Sequence, residues 1–128
     1  MIKDLDMVLT EGEGYKAEFK KSPDKDLSTE VCAFLNASGG RIFIGINDEG
    51  KIVGTDTSNA ARSKIQDTIN QIEPCPNVAL DVHDNIIVIT VREGKDKPYM
   101  CSKGFFIRMG PNSQKLDRGS IIDFLRSS

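Results

Sequence analysis

Apolar residues at Ile2, Leu5 and Leu9 recur at helical spacing, so the chain is predicted to open with a short helix over 1–10. Glu11-Gly12-Glu13-Gly14 breaks that pattern. From 15 to 20 the chain alternates, with Tyr15, Ala17 and Phe19 on one side of a predicted strand. A polar loop with Pro23 follows. Leu27, Val31, Phe34 and Leu35 then share one face of a predicted helix over 27–37, with Asp26 or Ser28 as its cap. Ser38-Gly39-Gly40 stops it. Over 41–46, Ile42, Ile44 and Ile46 fall on one side of a strand and Phe43 on the other. Asn47-Asp48-Glu49-Gly50 turns the chain, and 51–54 returns to make a β-hairpin.

The second half repeats this alternation of periods. Thr57 or Ser58 caps a helix reaching Ile72, with Ala61, Ile65 and Ile69 on its apolar face, and Pro74 and Pro76 end it. Strands are predicted over 78–82 and 85–91, around a turn at His83-Asp84, and shorter ones over 99–101 and 105–109. Gly110 to Lys115 reads as a polar loop. Asp117 or Ser120 opens a last helix carrying Ile121, Ile122, Phe124 and Leu125. Interleaved helices and hairpins predict an α+β fold: one domain over 1–128, a mixed β-sheet with a central hairpin, and three to four helices. The chain is read as the N-terminal part of a longer protein.

A length of 128 residues, 38% of them hydrophobic, suits one globular core. No run approaches the ~20 apolar residues of a membrane span, and Met1-Ile2-Lys3-Asp4 lacks the apolar core of a secretory signal. Cys32, Cys75 and Cys101 are odd in number and widely spaced, so they supply no disulfide framework and no zinc pair, and they suit a cytoplasmic protein. The net charge of −2 counts against tight, independent DNA binding, because phosphate neutralisation dominates such affinity. No phosphate-cradling G-x4-G-K-[ST] loop occurs, since Gly39-Gly40-Arg41 leads into a strand. The single histidine, His83, has no partner motif for a triad.

The most informative stretch runs from 13 to 54. It holds Glu13-x4-Glu18-Phe19-Lys20, then Asn36-Ala37-Ser38-Gly39-Gly40, then Ile42-Phe43-Ile44-Gly45-Ile46-Asn47-Asp48-Glu49-Gly50, and Ile52-Val53-Gly54. With Lys97-Pro98-Tyr99, Phe106-Ile107-Arg108-Met109-Gly110 and Asn112-Ser113-Gln114, it resembles the Schlafen/AlbA-like DNA-binding domain over nearly the whole chain. The resemblance implies a nucleic-acid-binding module, usually followed by further domains, of prokaryotic transcriptional regulators. It also implies kinship with Schlafen proteins, some of which cut RNA with three acidic residues. Those acids would be Glu13, Glu18 and Asp48. The chain carries Asn47 where that branch often has a second aspartate.

The expected function is nucleic-acid binding without catalysis, with DNA or RNA, further domains of the same protein or a second copy of the chain as partners, and no membrane. Lys20, Lys21, Arg41, Lys51 and Arg108 are the expected phosphate contacts, and Lys16 and Lys103 are further candidates. Lys20 and Arg108 lead because they sit inside matching motifs. No cofactor is expected. The alternatives are an interaction or dimerisation domain, and a ribonuclease in which Glu13, Glu18 and Asp48 hold Mg or Mn against a phosphodiester. Structural roles compete with the catalytic one: a local pairing for Glu13, a salt bridge to a lysine for Glu18, and a turn hydrogen bond for Asp48.

Overall fold

The computed structural model describes residues 4–127. Its elements run α1 (Leu5–Glu11), β1 (Ala17–Lys20), α2 (Leu27–Asn36), β2 (Gly39–Ile44), α3 (Asn59–Asn70), β3 (Ala79–His83), β4 (Ile86–Arg92), β5 (Phe106–Met109), β6 (Asn112–Lys115) and α4 (Arg118–Ser127). The fold is α+β. Four strands form a mixed sheet in the order β1-β2-β4-β3, with β1 parallel to β2 and the other pairs antiparallel. β5 and β6 form a separate antiparallel pair.

Both faces of the sheet are covered, which explains the unbroken apolar run of β2, where Ile42, Phe43 and Ile44 are all fully buried. Ile42, Ile44, Ile87 and Ile89 pack with Val31, Phe34 and Leu35 of α2 and with Ile65 and Ile69 of α3. Phe19, Phe43, Ile86 and Val88 face the other way, against Val8, Leu5 and Leu9 of α1. Of the positions expected in the first helix, Ile2 lies outside the described residues.

The hairpin expected after β2 forms, but it is short. Ile46 bridges Ile52, and the Asn47 N–H donates to the Lys51 carbonyl at 2.9 Å. Gly45 ends β2 because its backbone sits at φ 109°, and a Cβ there would stand 3.0 Å from Ile86 Cγ2. The amides of Gly45 and Ile46 both point at the Lys20 carbonyl, at 2.6 and 3.2 Å. The ladder of β2 is therefore with β1 and β4.

Capping follows the sequence in part. Ser58 Oγ accepts from the Ala61 N–H at 3.2 Å, and Asp117 Oδ1 accepts from the Ser120 N–H at 2.8 Å. Asp26 precedes α2 without capping it and pairs instead with Lys103 at 2.9 Å. The loop predicted over 110–115 is a correction: Asn112–Lys115 is strand β6. The turn predicted at His83-Asp84 lies one residue later, since His83 closes β3 and Asp84 sits at φ 55°.

Candidate functional site

The motif residues of the sequence meet around one side chain, Arg108. It rises from β5, its side chain is fully buried, and its guanidinium lies 4.7 Å from the centre of the Phe34 ring of α2. Nη1 donates to Glu18 Oε1 at 2.8 Å, to Ser113 Oγ at 3.1 Å and to Glu30 Oε2 at 3.3 Å. Nη2 donates to the carbonyls of Gly14 at 2.8 Å and Ala17 at 3.0 Å, and Nε reaches the Gly14 carbonyl at 3.2 Å. Ser113 Oγ also donates to Glu30 Oε2. The carbonyls of Gly14 and Ala17 lie on the outer side of β1, so Arg108 closes that edge of the sheet as well as balancing acids.

Glu18 has a second acidic neighbour. Burial, a hydrogen bond with the Glu13 side chain and the charge of Glu30 push its carboxyl up to about 8, against the opposing hydrogen bond from Arg108. Glu13 Oε2 meanwhile accepts from the Phe19 N–H at 3.3 Å. Lys20, its side chain almost buried, donates to both oxygens of Asp24 at 2.9 and 3.0 Å and lies 3.8 Å from Glu30 Oε1. The cluster holds four carboxyl groups around two cations, and the retained proton on Glu18 lowers its excess of negative charge.

This geometry separates the residues the sequence put forward. Arg108 has every nitrogen hydrogen-bonded and no exposed surface, so a phosphate does not reach it; its expected role as a leading phosphate contact is corrected to that of a buried clamp. Lys20 is corrected likewise, because it is buried against Asp24. Arg41 is partly exposed, pairs through both terminal nitrogens with Asp4 and lies 5.1 Å from the centre of the Phe43 ring. Lys21 and Lys51 are exposed, and Lys51 is 3.9 Å from Glu49.

Of the three acids implied by the Schlafen resemblance, Glu13 and Glu18 come together and Asp48 stays exposed in the turn after β2. The third carboxylate beside Glu18 is Glu30, and the Arg108 guanidinium bonds both. Among the described residues, no three His, Cys, Asp or Glu side chains are grouped to hold a metal ion. A fixed organic cation between the carboxylates does not fit a three-acid Mg or Mn centre. The turn hydrogen bonds that Asp48 was expected to make belong to its neighbour: Asn47 Oδ1 accepts from the N–H groups of Glu49 and Lys51 at 3.0 and 2.9 Å.

Sequence reasoning missed Glu30, Asp24 and the role of Asn36. Glu30 lies three residues after Leu27 and four before Phe34, so helical spacing alone places it beside the buried face. Asn36 is buried, and its amide donates to the carbonyls of Tyr99 at 2.9 Å and Phe106 at 2.8 Å. Its Oδ1 accepts from the Tyr99 N–H at 2.7 Å. The asparagine before Gly39-Gly40 thus ties the segment leading into β5 onto α2, and so fixes where Arg108 enters.

Residues 13–117 match the Schlafen, AlbA_2 family, and the chain belongs to that family. Its fold is similar to the crystal structure of the DIP2311 protein from Corynebacterium diphtheriae, with a TM-score of 0.64 at 19% sequence identity. That likeness covers 97% of this chain but 28% of the other, so the chain spans little more than a quarter of that protein's length. No helix among the described residues is long and apolar enough to cross a membrane.

Proposed function

We propose that this chain is a nucleic-acid-binding module, most naturally a DNA-binding part of a cytoplasmic transcriptional regulator. Membership of the Schlafen, AlbA_2 family supports a nucleic-acid-related role. The observation that carries the reading is a rim of lysines beside the buried cluster. Lys103 Nζ donates to the Lys25 carbonyl at 2.9 Å, and a Cβ at Gly104 would lie 3.1 Å from Lys115 Cε. Lys21 and Lys25 come from the loop before α2, Lys103 from the turn before β5, and Lys115 from the end of β6. Among the described residues, Lys21, Lys25 and Lys115 form no salt bridge, whereas Lys20 and Lys103 are neutralised by Asp24 and Asp26.

Free, exposed lysines fit phosphate oxygens as point charges. Lys51, at the tip of the hairpin, is a further contact in this reading, and Arg41 joins when a phosphate displaces Asp4. The binding needs no cofactor. The test is a titration of labelled DNA and RNA with and without Mg²⁺ or Mn²⁺, at two salt concentrations. The expected outcome is binding at low salt that weakens steeply with salt, with intact strands throughout. No binding at low salt would sink the reading, and metal-dependent cutting would replace it with the nuclease one.

A further inference from the structure

We propose that the cavity between the 21–26 loop and α3 receives one unpaired guanine base of a bound single strand. This rests on the nucleic-acid-binding reading above and gives that reading a substrate class. The cavity has a volume of about 420 Å³, within the range of small-ligand sites. Its apolar wall is made by the exposed Pro23 and Ala60 and the partly exposed Ala61, over the buried side chains of Leu27 and Ile65. Apolar side chains that accept the flat face of a base let an unpaired nucleotide leave its stack at modest cost.

The polar groups on the rim specify the base. Asp56 Oδ1 accepts from the Ser58 N–H at 2.9 Å, which fixes the carboxylate and keeps it ionised, as an acceptor only. The other aspartate of the lining is engaged, since both oxygens of Asp24 hold the Lys20 ammonium. Asp56 is therefore the reader. Among the bases, guanine alone presents two adjacent N–H donors on its Watson–Crick edge, the match for a carboxylate fork. Adenine and cytosine offer an amino group next to an acceptor, and thymine and uracil offer a lone imide N–H flanked by acceptors.

Lys64 lines the same cavity, acts on Asp56 through its charge and forms no salt bridge among the described residues. It offsets the repulsion between Asp56 and an incoming phosphate. Pro23 and Asp24 belong to the loop that carries Lys21 and Lys25, so the cavity adjoins the segment that bears two of the proposed phosphate contacts.

The experiment is fluorescence anisotropy on the full chain. The probes are thymidine strands of about twelve nucleotides carrying at the centre one guanine, adenine, cytosine or thymine, and the matching uridine RNAs. The guanine strand is expected to bind roughly tenfold tighter than the others. The two backbones separate a DNA from an RNA source of the base. Asp56→Asn should erase that preference and leave the all-thymine affinity in place. Ala60→Trp, at an exposed lining position, should erase it by filling the cavity. Lys21→Ala with Lys25→Ala should weaken all strands alike. Equal affinity for every central base, or a preference that survives both Asp56→Asn and Ala60→Trp, overturns the proposal while the binding reading stands. No binding to any strand overturns both.

Discussion

Arg108 shows how far a single buried cation organises this chain. Its guanidinium is matched by two acids, a serine, two backbone carbonyls and an aromatic face. A lysine or a neutral residue would leave several of those acceptors unpaired around a fully buried side-chain position. Arg108→Met is therefore expected to cost about 3–5 kcal/mol, the usual penalty for removing one partner of a buried ion pair. Chemical denaturation measures it, and a loss under about 1 kcal/mol would mean that the cluster relaxes without its cation. Glu18 gives the complementary prediction. Its carboxyl is raised to about 8, so it holds a proton in the folded chain that it releases in the unfolded chain above the ordinary value of 4.5. The stabilisation is fully present below that ordinary value and is lost as pH rises through about 8. The limiting slope is about 1.4 kcal/mol per pH unit for one proton, and solvent at the partly exposed carboxyl reduces it. Glu13, Glu30 and Arg108 are the groups that face this proton, and Glu18→Gln should flatten the profile. An unchanged slope in that variant would assign the proton elsewhere in the cluster.

At the scale of the elements, Gly39 controls the passage from α2 into β2. It sits at φ 80°, and an added Cβ would lie 2.5 Å from the Val91 carbonyl oxygen and 2.9 Å from the Glu93 nitrogen. Both obstacles are backbone and cannot swing aside. Gly39→Ala should thus lower the unfolding free energy by about 2 kcal/mol or more, the combined effect of strained φ and forced strand separation. A near-neutral melting curve would show that β4 shifts to make room. This turn was legible in the sequence, because Gly-Gly after an amphipathic helix signals a stop. So were α2, α3, β2 and β4, whose apolar periodicities are long and whose faces are buried as the spacing requires. β6 was not legible. Asn112-Ser113-Gln114-Lys115 has no apolar alternation, since the strand lies outside the main sheet and turns Ser113 inward only to meet Arg108 and Glu30. The cluster itself was half legible. The motif residues Glu18 and Arg108 are 90 positions apart, and nothing local in either segment says that they pair. Basic residues inside motifs were read as phosphate contacts when their contacts are internal acids.

For the whole molecule, the question is how a chain of net charge −2 holds a polyanion. The long-range field is weakly repulsive, so attraction has to come from a local concentration of cations whose charge is not already matched. Among the described residues, Lys25 and Lys115 beside Lys103, with the exposed Lys21 of the same loop as Lys25, form no salt bridge, whereas Arg108 and Lys20 are held in buried pairs. About three or four phosphate contacts follow, and each releases roughly 0.7 counterion from a single strand. The logarithm of the binding constant should fall with the logarithm of salt at a slope of about −2 to −3. Replacing Lys21, Lys25 and Lys115 by alanine should reduce the magnitude of that slope by about 2, with equal loss for every sequence. These residues are exposed and unpaired, so the triple variant is expected to melt like the parent. Arg108→Met, compared under conditions where it is folded, should keep the parental slope, because its charge faces Glu18 and Glu30 and not solvent. A slope unaffected by the triple variant would move the interface to another face of the molecule, with Lys51 and Arg41 as the cations to replace next.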